Sequence, residues 1–398
     1  VTPTVFQPDA LFDGAALRPG AALAVGADGR VLALAPAGAR VVPLPGRLLL
    51  PGLVNAHSHA FQRVLRGRTE HLSSGHERDD FWSWRELMYA AASGLTPEEI
   101  HAVSRQAFLE MALAGITAVG EFHSLHHGPD GAPYADVHEL ALQVARAAEE
   151  VGIRLVLLRV AYARAGFEVP ANPLQRRFIE PSPEVALERT SSLAARLRGR
   201  ASVGLAPHSV RAVPRPWLEV LARGWTAGPL HLHAAEQPAE VEACLREHGR
   251  RPLELLDEVG LLRPGTTLVH AIHLAPEEVR RLGASGASVC ACPSTERNLG
   301  DGVVPADELQ RAGVPLSLGT DSQAHLELLE EARQLEGHLR LVRRRRNVLD
   351  PGGGGPDALA RFLLAAATSG GAASLGLESG GLEPGRPADF FTVDLRHP

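Results

Sequence analysis

Short apolar runs recur at fairly regular intervals along most of this chain, separated by stretches of mixed polar and apolar residues. Eight of the runs read as strands: 53–59, 116–122, 153–160, 201–207, 230–234, 267–271, 287–292 and 315–319. Between them, 136–151, 183–197, 238–247, 276–282 and 326–343 carry helical composition or periodicity. Thr96-Pro97-Glu98-Glu99 is a complete helix start: Thr96 serves as N-cap, Pro97 takes the first helical position and Glu99 closes a capping box. Eight strands alternating with helices predict an α/β fold, a (β/α)8 TIM-like barrel rather than an open sheet. No repeat of solenoid length interrupts the pattern.

The first fifty residues have a different rhythm. Residues 21–24 and 31–34 flank Asp28-Gly29, a strong hairpin signal, and 48–50 precede a break at Pro51-Gly52. Near the other end, Pro384-Gly385 reads as a turn and 390–393 as a strand. Both chain ends are therefore expected to build one small β-sandwich domain (1–50 and 376–398) beside a barrel domain (51–375).

Candidate chemistry falls at the strand ends. His57 and His59 stand two apart on the first strand and so face the same side. His233 ends the fifth strand, His270 the sixth, and Asp321 follows the eighth. A barrel carries its chemistry at the C-terminal ends of its strands, so these distant residues should converge on one mouth. Three neutral imidazoles (His57, His59, His233) and the Asp321 carboxylate suit one borderline divalent ion, zinc first and iron as alternative, with room left for a water. The chain contains no lysine, since all 40 basic residues are arginine, which rules out a lysine bridging two metals. Asp321 can ligate through one oxygen and take a proton from the attacking water through the other. Glu236, three residues past His233, is placed to carry a proton to a leaving amine. His270 would hydrogen-bond the water or the developing tetrahedral centre. The reaction implied is hydrolytic attack on a carbon bearing nitrogen.

Composition narrows the partners. With 398 residues, 45% hydrophobic and 22% charged, the chain can bury a large core. A net charge of -6 gives no reason to expect nucleic acid or an anionic membrane. No apolar run approaches the ~20 residues of a membrane span, and the N-terminus lacks a basic-then-apolar signal pattern. Cys244, Cys290 and Cys292 form neither a disulfide framework nor a C-x-x-C pair, so they read as reduced core residues of a cytoplasmic protein. The run Arg343 to Arg346 reads as a solvated helix end, and Gly352 to Gly355 lacks the Lys-Ser or Lys-Thr of a phosphate loop. His123, His126, His127 and His273 are expected to be rim residues rather than a second metal site.

Longer segments add a resemblance. Pro51-Gly52-Leu53-Val54-Asn55-Ala56-His57-Ser58-His59, His233-Ala234-Ala235-Glu236 and Gly319-Thr320-Asp321-Ser322 are similar to the amidohydrolase superfamily, in its mononuclear deaminase branch. Phe81-Trp82-Ser83-Trp84-Arg85-Glu86-Leu87-Met88-Tyr89, Glu121-Phe122-His123, Gln175-Arg176-Arg177-Phe178-Ile179, Ser294-Thr295-Glu296 and Asn298-Leu299-Gly300-Asp301-Gly302 resemble, more specifically, the N-formimino-L-glutamate deiminases of histidine degradation. The resemblance implies a metal-dependent barrel that releases ammonia from N-formimino-L-glutamate and leaves N-formyl-L-glutamate. It also implies that Arg85 and Arg211 bind substrate carboxylates, that Gln62 and His208 make further substrate contacts, and that the enzyme is a homodimer. Without it, Arg85 would read as an arginine packed on Trp82 or Trp84.

Two positions depart from the family pattern. Ser124 follows Glu121-Phe122-His123 where the family has a tyrosine, and Gln323 follows Asp321-Ser322 where it has a histidine. Both are expected at the mouth, with an effect on substrate fit. They leave room for a sibling deaminase acting on another small anionic amidine or amine. An aromatic base would leave the two arginines without a role. A non-catalytic scaffold is disfavoured because Glu236 and all four ligands are present.

Overall fold

The computed structural model describes residues 2–72 and 79–397. Its first four strands, β1 (Thr4–Phe12), β2 (Leu17–Pro19), β3 (Leu23–Val25) and β4 (Arg40–Pro51), lie in one sheet. Eight more follow: β5 (Leu53–Ser58), β6 (Ile116–His123), β7 (Arg154–Ala161), β8 (Ser202–Pro207), β9 (Leu230–Ala234), β10 (Thr266–His270), β11 (Ser288–Ala291) and β12 (Leu316–Leu318). They pair in chain order, all parallel, with helices between them. Every one lies within a residue of its expected bounds at each end. The last strand, β13 (Phe390–Asp394), returns to the first sheet and pairs antiparallel with β4. Both chain ends thus meet in one mixed five-stranded sheet, and β4 runs through Gly52 into the first barrel strand.

The barrel closes where the candidate ligands lie. Ser58 and Asp321 form a parallel bridge between the ends of β5 and β12. The amides of Thr320 and Asp321 each donate to the His57 carbonyl at 3.0 Å, and the His59 amide donates to the Asp321 carbonyl at 3.0 Å. Gly319 allows this approach, because a Cβ there would sit 2.8 Å from both Cβ and O of His57. The backbone bonds that seal the sheet therefore also fix three of the four ligands relative to one another.

The helix start at Thr96 forms as expected: Thr96 Oγ1 accepts from the Glu99 amide at 3.2 Å and the Glu99 carboxylate accepts from the Thr96 amide at 2.9 Å. The N-terminal hairpin forms only in part. Gly26 donates to the Arg30 carbonyl and Leu32 to the Ala24 carbonyl, both at 2.8 Å, around a Val25–Val31 bridge, but the second arm does not continue as a strand. The outer edge of Val31 pairs with the C-terminal segment, donating to the Arg386 carbonyl at 2.9 Å and accepting from the Gly385 amide at 2.8 Å. Leu157, Leu205, Leu232 and Leu268 are fully buried in the main core, and Leu11, Leu23, Val31, Leu49 and Leu382 form a separate cluster under the small sheet. Among the described residues no helix is long and apolar enough to cross a membrane.

Candidate active site

At the barrel mouth the ligand atoms of His57, His59, His233 and Asp321 all lie within 4.8 Å of one another, every residue buried. Asp321 Oδ1 lies 3.2 Å from His57 Nε2 and 3.3 Å from His59 Nε2, while Oδ2 turns towards His270 Nε2 at 3.7 Å. His59 Nδ1 hydrogen-bonds the Phe122 carbonyl at 3.1 Å and His233 Nδ1 that of His208 at 3.0 Å. Each carbonyl takes the Nδ1–H, which turns a bare Nε2 inward, as a ligating histidine requires. Strain marks the same strand ends, with positive φ at His270 (71°) and Asp321 (43°).

The residues fit a divalent cation. His57 Nε2 is buried without a hydrogen-bond partner, a cost that a metal would remove. Burial drives the imidazole pKa down at His57, to about 3 at His59, and well below the usual value at His233, so all three offer lone pairs. Burial would raise the Asp321 carboxyl, but the close approach of His57, with His270 and His59, holds it below the ordinary carboxylate range. Two imidazole pairs also stack in the cluster, His59 with His233 at 5.6 Å and His233 with His270 at 5.5 Å between centroids.

His270 sits inside a ring of carboxylates. Its Nε2 lies 3.5 Å from Glu236 Oε1, and its Nδ1 donates to Glu296 Oε1 at 3.3 Å. Burial would depress this imidazole, but Glu236, Glu296 and Asp321 together lift it well above its usual range. Glu296 also accepts from the Cys292 amide at 2.8 Å, so it ties β11's end to β10's. Glu296 carries no sign of this role in its local sequence. Its signal was only membership of the Ser-Thr-Glu segment, and nothing local reveals that it reaches a histidine 26 positions earlier. His270, Cys292 and Asp321 form a neighbouring buried grouping that no spacing in the sequence announces.

A cleft of about 560 Å³, open mouth included, leads from solvent to His59, His233 and Asp321. All four expected substrate residues, Gln62, Arg85, His208 and Arg211, line it, together with Glu236 and Ser124. Arg85 comes from the helix Phe81–Ser93, capped by Asp80 and covering one side of the mouth. That helix is held by buried Arg177, which donates to the carbonyls of Ala92 at 2.5 Å, Leu95 at 2.9 Å and His127 at 2.9 Å. Arg85 also packs on Trp82, its guanidinium carbon 4.8 Å from the ring centroid, so packing and cleft lining are both satisfied. Arg211 reaches Glu236 at 3.5 Å and Glu240 at 3.2 Å.

Two expectations change. Gln323 does not line the cleft: it is fully buried, accepts from Thr320 Oγ1 at 2.9 Å and donates to Ser58 Oγ at 2.8 Å. Ser58 passes the chain on to Glu121 at 2.6 Å, so Gln323 braces the seam behind Asp321 rather than shaping substrate fit. Gln323→Ala leaves the buried Thr320 hydroxyl hydrogen without its acceptor and takes a donor from Ser58 Oγ, and thermal unfolding should show a loss of about 1–3 kcal/mol, with KM little changed; a shifted KM at unchanged stability would restore it to the cleft. His123, His126 and His127 are buried rather than at the rim, His126 bonding the Val160 carbonyl at 2.8 Å and His127 that of Ile179 at 3.0 Å. His273 is half-buried and bonds the Asp301 carbonyl at 2.9 Å. All three cysteines are free and buried.

A closed parallel barrel with a buried three-histidine, one-aspartate cluster at its mouth defines a metal-dependent hydrolase acting on C–N bonds outside peptides. The amidohydrolase family model matches residues 48–398, and the chain belongs to that family. Formimidoylglutamate deiminase of Pseudomonas aeruginosa is 45% identical over 356 residues, covering 89% of this chain and 78% of that protein. A 5-methylthioadenosine/S-adenosylhomocysteine deaminase of Natronomonas pharaonis is 34% identical over 388 residues, covering 94% and 80%. Among solved structures, an amidohydrolase from Brucella melitensis superposes with a TM-score of 0.89 at 36% identity, covering 97% of this chain and 86% of the other. An adenosine deaminase from Xanthomonas campestris with bound zinc gives 0.79 at 28% identity, covering 99% and 85%.

Proposed function

We propose that this enzyme hydrolyses the formimino group of N-formimino-L-glutamate, releasing ammonia and leaving N-formyl-L-glutamate. One observation carries the reading: Arg85 Nε and Nη1 and Arg211 Nε are buried on the cleft wall without hydrogen-bond partners. Buried guanidinium hydrogens left unpaired are costly, and a carboxylate matches their planar fork. A substrate with two carboxylates suits two such arginines. The 45% identity to a formimidoylglutamate deiminase supports the same substrate.

His57, His59, His233 and Asp321 would hold one divalent ion, zinc by donor set and by the zinc-bearing relative, with iron the alternative. Such an ion lowers the pKa of a water towards neutrality. The rest falls to the chain's own groups. Asp321 Oδ2, turned away from His57 and His59, takes the proton of the attacking water. Glu236 passes a proton to the leaving nitrogen, which departs as ammonia while the carbon keeps the new oxygen as a formyl group. His270, held by Glu296, steadies the tetrahedral centre between Glu236 and Asp321. The buried free cysteines support a cytoplasmic enzyme.

Arg211→Met and Arg85→Met test the anion site. Each should raise KM for N-formimino-L-glutamate and lower kcat/KM about 10–100-fold, the worth of a hydrogen bond to a charged group. Arg85→Met is the cleaner variant, because Arg211 also touches Glu236. Unchanged KM in both would remove the arginines from substrate binding. A second reading is favoured by Ser124, which lines the cleft and turns its hydroxyl back to the Phe122 carbonyl at 3.5 Å. The space beside it suits a sibling acid, and a higher kcat/KM on N-formimino-L-aspartate or N-guanidino-L-glutamate would select that reading.

A further inference from the structure

On the wall of the cleft, two phenols meet in the protein interior. Tyr89 and Tyr162 are almost fully buried, and their hydroxyl oxygens lie 2.6 Å apart. Fully buried Gln175 donates its amide to both, at 3.0 Å to Tyr89 and 3.2 Å to Tyr162, while its carbonyl accepts from the Asn172 amide at 3.0 Å. The donor count leaves a remainder. Two phenols carry two O–H hydrogens, and only one can lie in the contact between them. Gln175 offers these oxygens only donors, so it cannot take the other. Among the described residues no further acceptor reaches either hydroxyl.

That spare hydrogen faces a cationic setting. Both tyrosines line the cleft. Tyr89 lies under Arg85, whose guanidinium carbon is 5.8 Å from its ring centroid, and the Tyr162 ring is 4.6 Å from that of His208. Burial and the neighbouring Tyr89 push the Tyr162 hydroxyl well above its usual pKa despite Arg211 and Arg85, so it stays a donor beside them. A neutral donor among arginines has no protein acceptor to serve, whereas an anion held by those arginines would provide one.

We propose that Tyr89 and Tyr162, braced by Gln175, form a substrate-binding hydroxyl pair that donates one O–H to a carboxylate of the anionic substrate held by Arg85 and Arg211. This rests on the dicarboxylate reading above and deepens it: the enzyme tells a dicarboxylate from a monocarboxylate partly through a phenol, not through charge alone.

The test is the double variant Tyr89→Phe, Tyr162→Phe, which keeps both rings. Three substrates are compared: N-formimino-L-glutamate, N-formimino-4-aminobutyrate lacking the α-carboxylate, and N-formimino-2-aminobutyrate lacking the side-chain carboxylate. The expected result is a fall in kcat/KM of about 10–100-fold, carried mainly by KM, on N-formimino-L-glutamate and on only one monocarboxylate, the one retaining the carboxylate that the pair reads. Equal loss on all three, or on none, overturns the proposal. Binding of N-formyl-L-glutamate by calorimetry separates this idea from the reaction itself. Wild-type protein that binds this anion without turning over the formimino compound overturns the reaction; the pair then stands on a weaker Kd in the double variant and falls on an equal one. Wild-type protein that does neither overturns both. Should the double variant melt well below the parent, Tyr162→Phe alone carries the comparison, with the same substrate dependence expected and the same uniform result overturning it.

Discussion

Glu236→Gln is expected to lose most turnover while the protein stays folded and keeps its metal. Glutamine preserves the shape beside His270 and Arg211, 3.5 Å from each, but cannot hand a proton to a leaving nitrogen. A positioned acid–base group contributes roughly 10²–10⁴-fold, so kcat should fall by about that factor. Arg211 keeps a charged partner in Glu240 at 3.2 Å, which limits structural damage from the change. Metal analysis beside steady-state kinetics checks the prediction. A variant with normal metal and undiminished kcat would take the proton transfer away from Glu236.

His233→Ala should have an effect at least as large, by a different route. It removes one of three imidazoles and leaves the Asp321 carboxylate, His57 and His59 to hold a cation that prefers four ligands. Metal content should drop to background, and activity with it. The holoenzyme should also lose the stabilisation that binding supplies, about 2.7–4.1 kcal/mol for an ion at 100 to 1,000 times its Kd. The melting temperature of His233→Ala should therefore no longer respond to added zinc, whereas that of the parent rises. Retained metal together with retained activity would show that the cluster is assembled otherwise.

The barrel was legible because its strands are short apolar runs whose burial depends little on distant detail. The ligands were legible for a related reason: each polar residue breaks an apolar run at its C-terminal end, where a barrel opens. The small sheet was harder to read. β1 contains Pro8 and Asp9, which argue against a strand, and the structure accommodates them with a register shift between Pro8 and Ala10. The short second arm of the N-terminal hairpin meets Arg386 and Gly385 on its outer edge, partners more than 350 residues away that no local pattern announces. Gln323 was placed at the mouth by its position after Asp321. A positive φ of 63° instead turns that residue so that its side chain runs behind the seam to Ser58. Glu296, Tyr89 and Tyr162 were visible as residues, but what they touch depends on which strand ends become neighbours.

The most direct test of the account is kcat/KM of zinc-loaded protein on N-formimino-L-glutamate, measured by ammonia release against 5′-methylthioadenosine. A cleft lined by the unpaired guanidinium N–H groups of Arg85 and Arg211 predicts efficient release from the dicarboxylate and little from the neutral nucleoside. Preference for the nucleoside would contradict it, leaving the metal cluster in place and removing the anionic substrate from the cleft.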